Sequence, residues 1–371
     1  MCGIFGSISD ADDPVRLWQR ISKTLSHRGP NDEGCWFDSD SGVFLGHTRL
    51  SILDLTIAGR QPMSSATQRY VIVFNGEIYN HNLMRESMTD FGYSPNWLGH
   101  SDTETFLAGF EVWGIEETVK KAVGMFAFAV WDRQSQTLTL GRDRLGEKPL
   151  YYGWQGKTFL FGSEVKALKA HPAFHSEIDR NSIALMMRHS QIPTPYSIYK
   201  GISKLLPGSL LSVSSQSRDA QPHKYWDLRQ VVSEGISRQF SGSPNEAIDA
   251  LEEIMRNAVS QQMVADVPVG AFLSGGIDSS SIVALASKLS TKPIKTFSIG
   301  FDDKYLNELD NAKLLANMYN TDHSEFIVKP TDIDILEDIM SFYDEPFADS
   351  SAIPTYFVSK FASEHIKVVL S

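Results

Sequence analysis

Four strand-like segments follow one another between residues 125 and 161 of this 371-residue chain, joined by two short turns and by the charged segment 141–149. Their apolar residues recur with a period of two, and the turns at 132–135 and 155–157 carry polar and glycine residues typical of strand connections. Sheets of this kind bury their faces against other sheets or helices. We therefore predict an N-terminal half of stacked sheets with helices on the outside. The four segments are 125–131, 137–140, 150–152 and 159–161.

Shorter signals complete the first half. The opening residues, residues 70–74 and residues 209–213 are apolar runs that predict further strands. Residues 15–25 predict a helix, and a second helix should run from Ser101 to residue 113, with Ser101 and Glu104 spaced as a capping box. We expect the charged residues of 141–149 to form structural ion pairs.

The second half alternates strands with helices. Strands are predicted at 267–273, 295–301 and 324–328, with helices at 281–289 and 308–319 between them. Such alternation predicts a parallel sheet with right-handed crossovers, in which ligands bind at the carboxyl ends of the strands.

Polar stretches at 214–219 and 239–244 favour a linker, which we place at 214–244. This gives a first domain of residues 1–213 and a second one of residues 245–371. The second domain opens on a predicted amphipathic helix at 245–261. Its expected buried stripe consists of Ala247, Leu251, Ile254 and Ala258.

Composition excludes several classes of protein. The net charge is −11 and the chain has no basic block, which argues against nucleic acid or an anionic membrane as partner. Two cysteines suggest neither a disulfide framework nor a metal cage, and we expect a reducing, cytoplasmic location. No apolar run has transmembrane length, and the N-terminus lacks a signal-peptide pattern.

Cys2 is the first candidate for chemistry. Removal of Met1, which aminopeptidases favour before a small residue, would make Cys2 the N-terminus. Its thiol, with an ordinary pKa of about 8.5, would then adjoin an α-amine of about 7.7–8.0. The amine can take the thiol proton near neutral pH, as in N-terminal nucleophile enzymes. The alternative is a cysteine without function.

Three further motifs of the first half contain candidate site residues, and two of these motifs allow two interpretations each. Arg49, in an apolar stretch, needs an anionic partner, either an internal carboxylate or the carboxylate of a substrate. Asn75 and Gly76, expected at a strand end, fit an oxyanion hole or an ordinary hairpin turn. Asp102 is left free by the helix cap to meet a ligand ammonium.

A small-residue loop lies between the strand at 267–273 and the following helix. Backbone N–H groups of such a loop can surround a phosphate, and its serines add hydroxyl donors. Asp278 can hold a Mg²⁺ ion that neutralises the phosphates. No lysine follows the glycines, so the loop is not of the Walker type, and a plain turn is the alternative. The loop residues are Ser274, Gly275, Gly276, Ile277, Asp278, Ser279 and Ser280.

Together the motifs of the first half resemble the class II, N-terminal-cysteine glutamine amidotransferase domain. They are Cys2-Gly3-Ile4-Phe5-Gly6, Arg28-Gly29-Pro30, Arg49-Leu50-Ser51-Ile52, Asn75-Gly76-Glu77, Ser101-Asp102-Thr103-Glu104 and Arg142-Asp143-Arg144-Leu145-Gly146.

This resemblance implies an αββα sandwich of the N-terminal nucleophile (Ntn) type that hydrolyses glutamine through a thioester on Cys2. Asn75 and the Gly76 N–H would hold the oxyanion. The rest of the glutamine site would comprise Arg49 at the α-carboxylate, Asp102 and Glu77 at the α-amine, and Leu50, Ser51 and Ile52.

The second half resembles the synthetase domain of asparagine synthases and, more broadly, N-type ATP pyrophosphatases. The matching segments are Asp266-Val267-Pro268-Val269-Gly270, the Ser274–Ser280 loop, Thr296-Phe297-Ser298-Ile299-Gly300-Phe301 and Asp344-Glu345-Pro346-Phe347-Ala348-Asp349-Ser350-Ser351.

This second resemblance implies a parallel α/β domain in which ATP activates the β-carboxylate of aspartate as an acyl-adenylate. Ammonia from the glutaminase would pass through the interior and attack it. Leu273 and Ile299 would flank the adenine, the Ser274–Ser280 loop would bind pyrophosphate, and Asp278 would bind Mg²⁺. Ser371 would also contact ATP. A homodimer is the working hypothesis for the oligomeric state.

The chain stops at Ser371, at the first residue after a predicted buried strand. The family's following acidic loop and helical region are absent, so we expect a fragment or a truncated product, with an incomplete second domain. The alternatives are an amidotransferase acting on another carboxylate, such as a sugar acid of a surface polysaccharide, a glutaminase-only fragment, and a non-catalytic glutamine sensor or storage protein. An aminosugar-phosphate synthase is disfavoured because its second half lacks such a phosphate loop.

Overall fold

The structure, a computed structural model, describes residues 1–9, 13–214, 218–301, 308–328 and 335–371. Residues 215–217 of the predicted linker lie outside the described residues. The chain forms two compact units. The first comprises Met1–Ser237 with Asp344–Phe347, and the second comprises Arg238–Tyr343 with Ala348–Ser371. The domain limits at 213 and 245 remain a prediction.

Two antiparallel six-stranded sheets form the centre of the first unit. The first sheet, in spatial order, contains β10 (Ser203–Lys204), β8 (Tyr151–Gln155), β9 (Thr158–Gly162), β1 (Gly3–Ile8), β3 (Val43–Arg49) and β2 (Asp32–Asp38). The second contains β12 (His223–Lys224), β11 (Ser209–Val213), β7 (Thr137–Arg142), β6 (Gly124–Asp132), β5 (Tyr70–Ile78) and β4 (Met63–Ser64).

Helices cover the outer faces of both sheets. The helices of this unit are α1 (Pro14–Leu25), α2 (His81–Asp90), α3 (Asp102–Trp113), α4 (Ile115–Lys121), α5 (Val165–Lys169), α6 (Arg180–His189) and α7 (Leu228–Ser237), with a 3₁₀ turn at Ile57–Gly59. Helices α1 and α5 pack on the first sheet, and α2, α3 and α4 on the second. A separate core fills the space between the sheets. The predicted αββα layering is confirmed.

The layering explains why the strands are continuous apolar runs in the amino-acid sequence. On β5, Val71 and Val73 belong to the core between the sheets, whereas Ile72 and Phe74 belong to the core under the helices. Because successive side chains of a strand point to opposite faces, a sheet covered on both sides needs apolar residues at every position.

The helix-covered core is rich in aromatic side chains. The Phe106 ring, on α3, lies 4.7 Å from Phe110, 5.8 Å from Phe74, 5.5 Å from Phe126 and 5.4 Å from Phe128, measured between centroids. Tilted and edge-to-face pairs at these distances add to the free energy gained by burial. They fix α3, and therefore the position of its first residue, on the second sheet.

A four-stranded parallel sheet forms the centre of the second unit, as predicted. Its order is β15 (Asp322–Val328), β14 (Lys295–Phe301), β13 (Val269–Phe272) and β16 (Val368–Leu370). The helices are α8 (Pro244–Gln262), α9 (Ile277–Leu289), α10 (Leu309–Met318), α11 (Leu336–Phe342) and α12 (Ala352–Ser363).

The predicted buried stripe of α8 is wrong. Leu251 is 57% exposed and Ile254 is 67% exposed, and Ala247 and Ala258 are exposed as well. The face that packs into the core of the second unit is the adjacent row, with Val259 at 7% exposure and Met255 beside it. Periodicity predicts that a helix has an apolar face, but contact with neighbouring elements decides which of two adjacent rows is buried.

One short segment groups with the first unit although it is distant in sequence. Asp344–Phe347, which we placed in the second domain, belongs to the first unit. There the Glu345 carboxylate lies 2.6 Å from Lys204 Nζ and accepts a hydrogen bond of 2.7 Å from the N–H of Ile198.

Two local predictions also need correction. Ser101 caps α3 by accepting from the N–H of Thr103, whereas the Glu104 carboxylate accepts from the N–H groups of Leu98 and Gly99, so the predicted capping box is replaced by a loop contact. Helix α9 begins at Ile277 and not at 281, so the last four of the seven residues of the predicted turn, 277–280, are helical. Among the described residues, no helix is both long enough and apolar enough to cross a membrane.

Candidate active site

Cys2 directly precedes β1, the strand between β3 and β9 in the first sheet. Its Sγ accepts a hydrogen bond from the Leu50 N–H at 3.4 Å and lies 3.8 Å from the Leu50 carbonyl oxygen. Burial raises the pKa of the Cys2 thiol. A base is therefore needed nearby if this thiol is to act as a nucleophile at neutral pH.

Arg28 fixes the backbone at Cys2. Its Nε donates to the Cys2 carbonyl oxygen at 2.9 Å, and its Nη1 lies 2.7 Å from Glu164 Oε1. Lys166 Nζ lies 3.0 Å from the other oxygen of Glu164. The sequence contained Arg28 only as part of a motif, and it offered no signal for Glu164, which lies 136 residues away.

A cavity of about 70 Å³ opens beside Cys2. It brings together most residues predicted for the glutamine site, whereas Ser51 is not among its lining and instead donates its N–H to Asn31 Oδ1. The predicted residues that line it are Cys2, Arg49, Leu50, Ile52, Asn75, Gly76, Glu77 and Asp102.

Asn75 and Gly76 do not lie at a strand end or in a hairpin turn. Both lie within β5, where Asn75 pairs with Ala127 and Gly76 with Phe126 of β6. A Cβ atom on Gly76 would lie 2.2 Å from the Met125 carbonyl oxygen, so only glycine fits this close approach of the two strands.

The side-chain amide of Asn75 is the strongest single feature of the cavity. Asn75 is 1% exposed, and its Nδ2 has no hydrogen-bond partner within the described part of the chain. A buried donor without a partner is costly unless a ligand supplies the acceptor. The amide is thus suited to an oxyanion.

Arg49 is buried and uses part of its guanidinium on the fold. It donates to the carbonyl oxygens of Thr56, at 2.9 Å, and Asp54. These bonds orient the guanidinium where it lines the cavity. Neither of these partners is a carboxylate.

Two carboxyl groups occupy the cavity together. Asp102, the first residue of α3, accepts from the N–H of Ile78 at 2.8 Å, and burial raises its pKa. Burial and the charge of Asp102 raise the pKa of Glu77 to about 7. A ligand ammonium would relieve both effects, since a nearby positive charge favours the ionised carboxylates.

Several cavity residues were not predicted. Gln61 accepts from the N–H of Phe74 and donates to Thr103 Oγ1, so it tethers β5 to α3. Lys148, from the loop after β7, also lines the cavity and is 7% exposed. Its position just after the predicted motif at 142–146 was the only available signal.

The predicted ion pairs of residues 141–149 are wrong for the described structure. Arg142 donates to the carbonyl oxygens of Gly146, Lys148 and Leu205. Asp143 accepts from the N–H groups of the following residues and from Phe126. These charged side chains form hydrogen bonds with backbone groups of a tight loop. The sequence alone does not distinguish this arrangement from ion pairing.

In the second unit, the predicted phosphate loop joins β13 to α9. Gly275 has a φ of +81°, a conformation that favours glycine, and the N-cap Gly276 provides no side-chain capping bond. Ser274 and Ser279 hydroxyls lie 3.0 Å apart. The first N–H groups of α9 thus have no capping side chain, a geometry suited to anions.

A cavity of about 270 Å³ lies at the carboxyl ends of β13 and β14. Leu273, Ser274 and Ile299 line it, whereas the other predicted ATP residues do not. Ser371 follows β16, which pairs with β13 in parallel and therefore ends at the same edge of the sheet. The predicted residues outside this lining are Gly275, Gly276, Asp278, Ser279, Ser280 and Ser371.

Comparison with known proteins agrees with this geometry. Residues 1–226 match the glutamine amidotransferase domain family, and residues 250–371 match the asparagine synthase family. A Methanocaldococcus jannaschii protein, provisionally named asparagine synthetase (glutamine-hydrolysing) 2, is 35% identical over 395 aligned residues that include 100% of this chain and 73% of that protein. The chain belongs to the glutamine-hydrolysing asparagine synthetase family.

Two Bacillus subtilis members of the asparagine synthetase family also align with the chain. Asparagine synthetase (glutamine-hydrolysing) 1 is 34% identical over 100% of this chain, and asparagine synthetase 3 is 34% identical over 93% of it. The chain spans 57% of the length of each of these two relatives. The predicted family resemblance and the predicted fold class are both confirmed.

Proposed function

We propose that the first unit hydrolyses glutamine and supplies ammonia to an ATP-dependent synthetase activity that converts aspartate to asparagine. Membership of the asparagine synthetase family supports this proposal, and the observation that carries it is the cavity in which Cys2, Asp102 and the unpartnered amide of Asn75 converge. For the domain limits we retain 1–213, a linker at 214–244, and 245–371.

In the glutaminase step, the α-amine exposed by removal of Met1 takes the proton of the Cys2 thiol. The thiolate attacks the side-chain amide of glutamine, and the oxyanion forms opposite the Asn75 amide and the Gly76 N–H. The proton then passes from the amine to the leaving ammonia, and water hydrolyses the γ-glutamyl thioester to release glutamate.

The substrate is held by its α-carboxylate and α-amine. The Arg49 guanidinium binds the α-carboxylate of glutamine, and the carboxyl groups of Asp102 and Glu77 bind its α-ammonium group. The raised pKa of Glu77, about 7, supports this role, because a bound cation would restore its ionised form.

In the synthetase step, ATP lies at the carboxyl ends of the parallel strands, with adenine between Leu273 and Ile299 and the phosphates at the N-terminus of α9. Within the described residues no group of three acidic, histidine or cysteine side chains could cage a metal ion. Asp278 in the first turn of α9 nevertheless fits Mg²⁺, because this ion binds through one or two carboxylates and substrate phosphates. Bound Mg²⁺ would neutralise phosphate charge.

Labelling with a covalent glutamine analogue tests the glutaminase step. We expect the analogue to modify residue 2 of protein that has lost Met1, and we expect glutamate release to disappear in Cys2→Ala. Modification elsewhere, or glutamate release by Cys2→Ala at the wild-type rate, would contradict the proposal.

Aspartate-dependent exchange between ATP and pyrophosphate tests the synthetase step in the full-length protein. We expect exchange with aspartate and its loss in Asp278→Asn. Exchange with a sugar acid in place of aspartate would identify a different acceptor, and glutamate release without any exchange would restrict the activity to the glutaminase. Sedimentation analysis tests the predicted homodimer.

A further inference from the structure

Lys148 is a buried cation that the proposed reaction does not yet use. It is 7% exposed and lines the Cys2 cavity. Its loop is held by hydrogen bonds from backbone N–H groups to the Asp143 carboxylate, including 3.0 Å from the N–H of Lys148 itself. Within the described ranges, its ammonium forms no ion pair, and its Nζ lies 3.5 Å from Met1 Sδ.

A second buried cation reaches the same sulfur atom. Arg28 Nη2 lies 3.8 Å from Met1 Sδ. Arg28 is neutralised by Glu164 at 2.7 Å, whereas Lys148 has no such partner in the described structure. The Met1 side chain is thus flanked by two cations, of which Arg28 is in direct contact with a carboxylate, whereas the carboxylates of Glu77, Glu147 and Asp143 act on Lys148 without such a contact in the described structure.

Removal of Met1 moves the α-amine to Cys2, one residue along the chain. Arg28 holds the Cys2 carbonyl oxygen at 2.9 Å, so Cys2 is anchored independently of Met1. The new amine is therefore expected to remain in the wall of the cavity that Cys2 and Lys148 both line.

The surroundings of the N-terminus favour an unprotonated amine, chiefly through burial. Burial lowers the pKa of the Met1 α-amine from 8.0 to about 6. The Cys2 thiol and Glu77 raise this pKa, whereas the positive charges of Arg28 and Lys148 lower it. The charged and titratable groups that face this region are the Cys2 thiol, Arg28, Arg49, Glu77, Asp102, Asp143, Glu147, Lys148 and Glu164.

We propose that Lys148 is a positioning residue for the glutaminase reaction, whose ammonium keeps the α-amine of Cys2 in its proton-accepting form at neutral pH. This inference rests on the proposed function. Its rival is a direct role in which Lys148 binds the α-carboxylate of glutamine, and the two roles predict different measurements.

The test compares Lys148→Met and Lys148→Gln, which remove the charge, with Lys148→Arg, which keeps it. Arg144→Gln is the matched control, because Arg144 is a cation of the same loop that does not line the cavity and donates to the Lys120 carbonyl oxygen. All variants carry Cys35→Ser, which removes the exposed second thiol.

Two pH profiles are measured on protein that has lost Met1. The first is kcat/KM for glutamine. The second is the rate of Cys2 alkylation by iodoacetamide, a neutral reagent without an α-carboxylate. We expect the acid limb of both profiles to move up by about one pH unit in either charge-removing variant, since a nearby like charge lowers the pKa of an amine. We expect no movement in Lys148→Arg or Arg144→Gln.

An unmoved acid limb in the two charge-removing variants overturns the inference, and a raised KM with an unmoved alkylation profile assigns Lys148 to the carboxylate instead. A wild-type protein that is alkylated at Cys2 but does not hydrolyse glutamine refutes the proposed function alone, because the alkylation profiles still decide the role of Lys148.

Discussion

Replacing Glu164 with glutamine removes the negative charge that neutralises Arg28 behind Cys2. The Glu164 side chain is 11% exposed, with Arg28 Nη1 at 2.7 Å and His27 Nε2 at 3.1 Å from its Oε1. In the variant, Arg28 keeps its hydrogen bond to the Cys2 carbonyl oxygen but loses its counter-charge in a buried position. Such losses are strongly destabilising, because the remaining charge is neither hydrated nor paired.

The size of the effect follows from the protonation of Glu164. Burial raises the pKa of this carboxyl group, but the hydrogen bond from His27 and the charge and hydrogen bond of Arg28 outweigh burial and lower the pKa from 4.5 to about 2. At about 1.4 kcal/mol per pH unit, this lowering corresponds to about 3 kcal/mol of stability near neutral pH. We expect Glu164→Gln to lower the free energy of unfolding of the first unit by about this amount.

The effect has a defined pH dependence. Because the pKa of Glu164 is lower in the folded state, its contribution is fully present above the unfolded value of 4.5 and is lost as the pH falls towards about 2. The difference in stability between wild type and variant should therefore be constant near neutral pH and shrink progressively under acid.

Urea unfolding followed by tryptophan fluorescence measures this difference in the first unit alone. All seven tryptophans lie at or before residue 226, so the second unit contributes no signal. Glu177→Gln is the control, because Glu177 forms an exposed ion pair with Lys200 and its loss should leave the unfolding free energy unchanged. A Glu164→Gln variant as stable as wild type near neutral pH, or a difference that persists unchanged in acid, would refute the reasoning.

Three further substitutions test the site and the core. Asn75→Ala should lower kcat for glutamine hydrolysis by about 10²–10³-fold with unchanged circular dichroism, and a wild-type kcat would exclude Asn75 from the oxyanion hole. Gly76→Ala places a Cβ 2.2 Å from a carbonyl oxygen of β6 and should lower the melting temperature sharply, whereas Gly235→Ala, with nothing within 4 Å, should leave it unchanged or raise it. Phe106→Ala should cost about 3–5 kcal/mol of unfolding free energy in the tryptophan-monitored urea assay, and an equal loss in the 73% exposed Phe91→Ala would contradict this.

Local pattern in the sequence determined most of the secondary structure. The predicted strand at 295–301 coincides with β14, Lys295–Phe301, and the predicted strand at 209–213 coincides with β11. These predictions succeed because backbone pairing and burial act on every residue of a strand, so the apolar run itself marks its ends. Family motifs likewise predicted Cys2, Asn75 and Asp102 as site residues, and the fold gathers these three around one cavity.

Tertiary structure decided what the pattern left open. It placed Lys148 beside Met1, chose the row of α8 that is buried, and put Asn75 within a strand where we expected a strand end. It also joined Arg28 to Glu164 across 136 residues of chain. Charge partners and packed faces depend on which distant elements meet, and a one-dimensional pattern contains the propensity of each element but not the contacts between them.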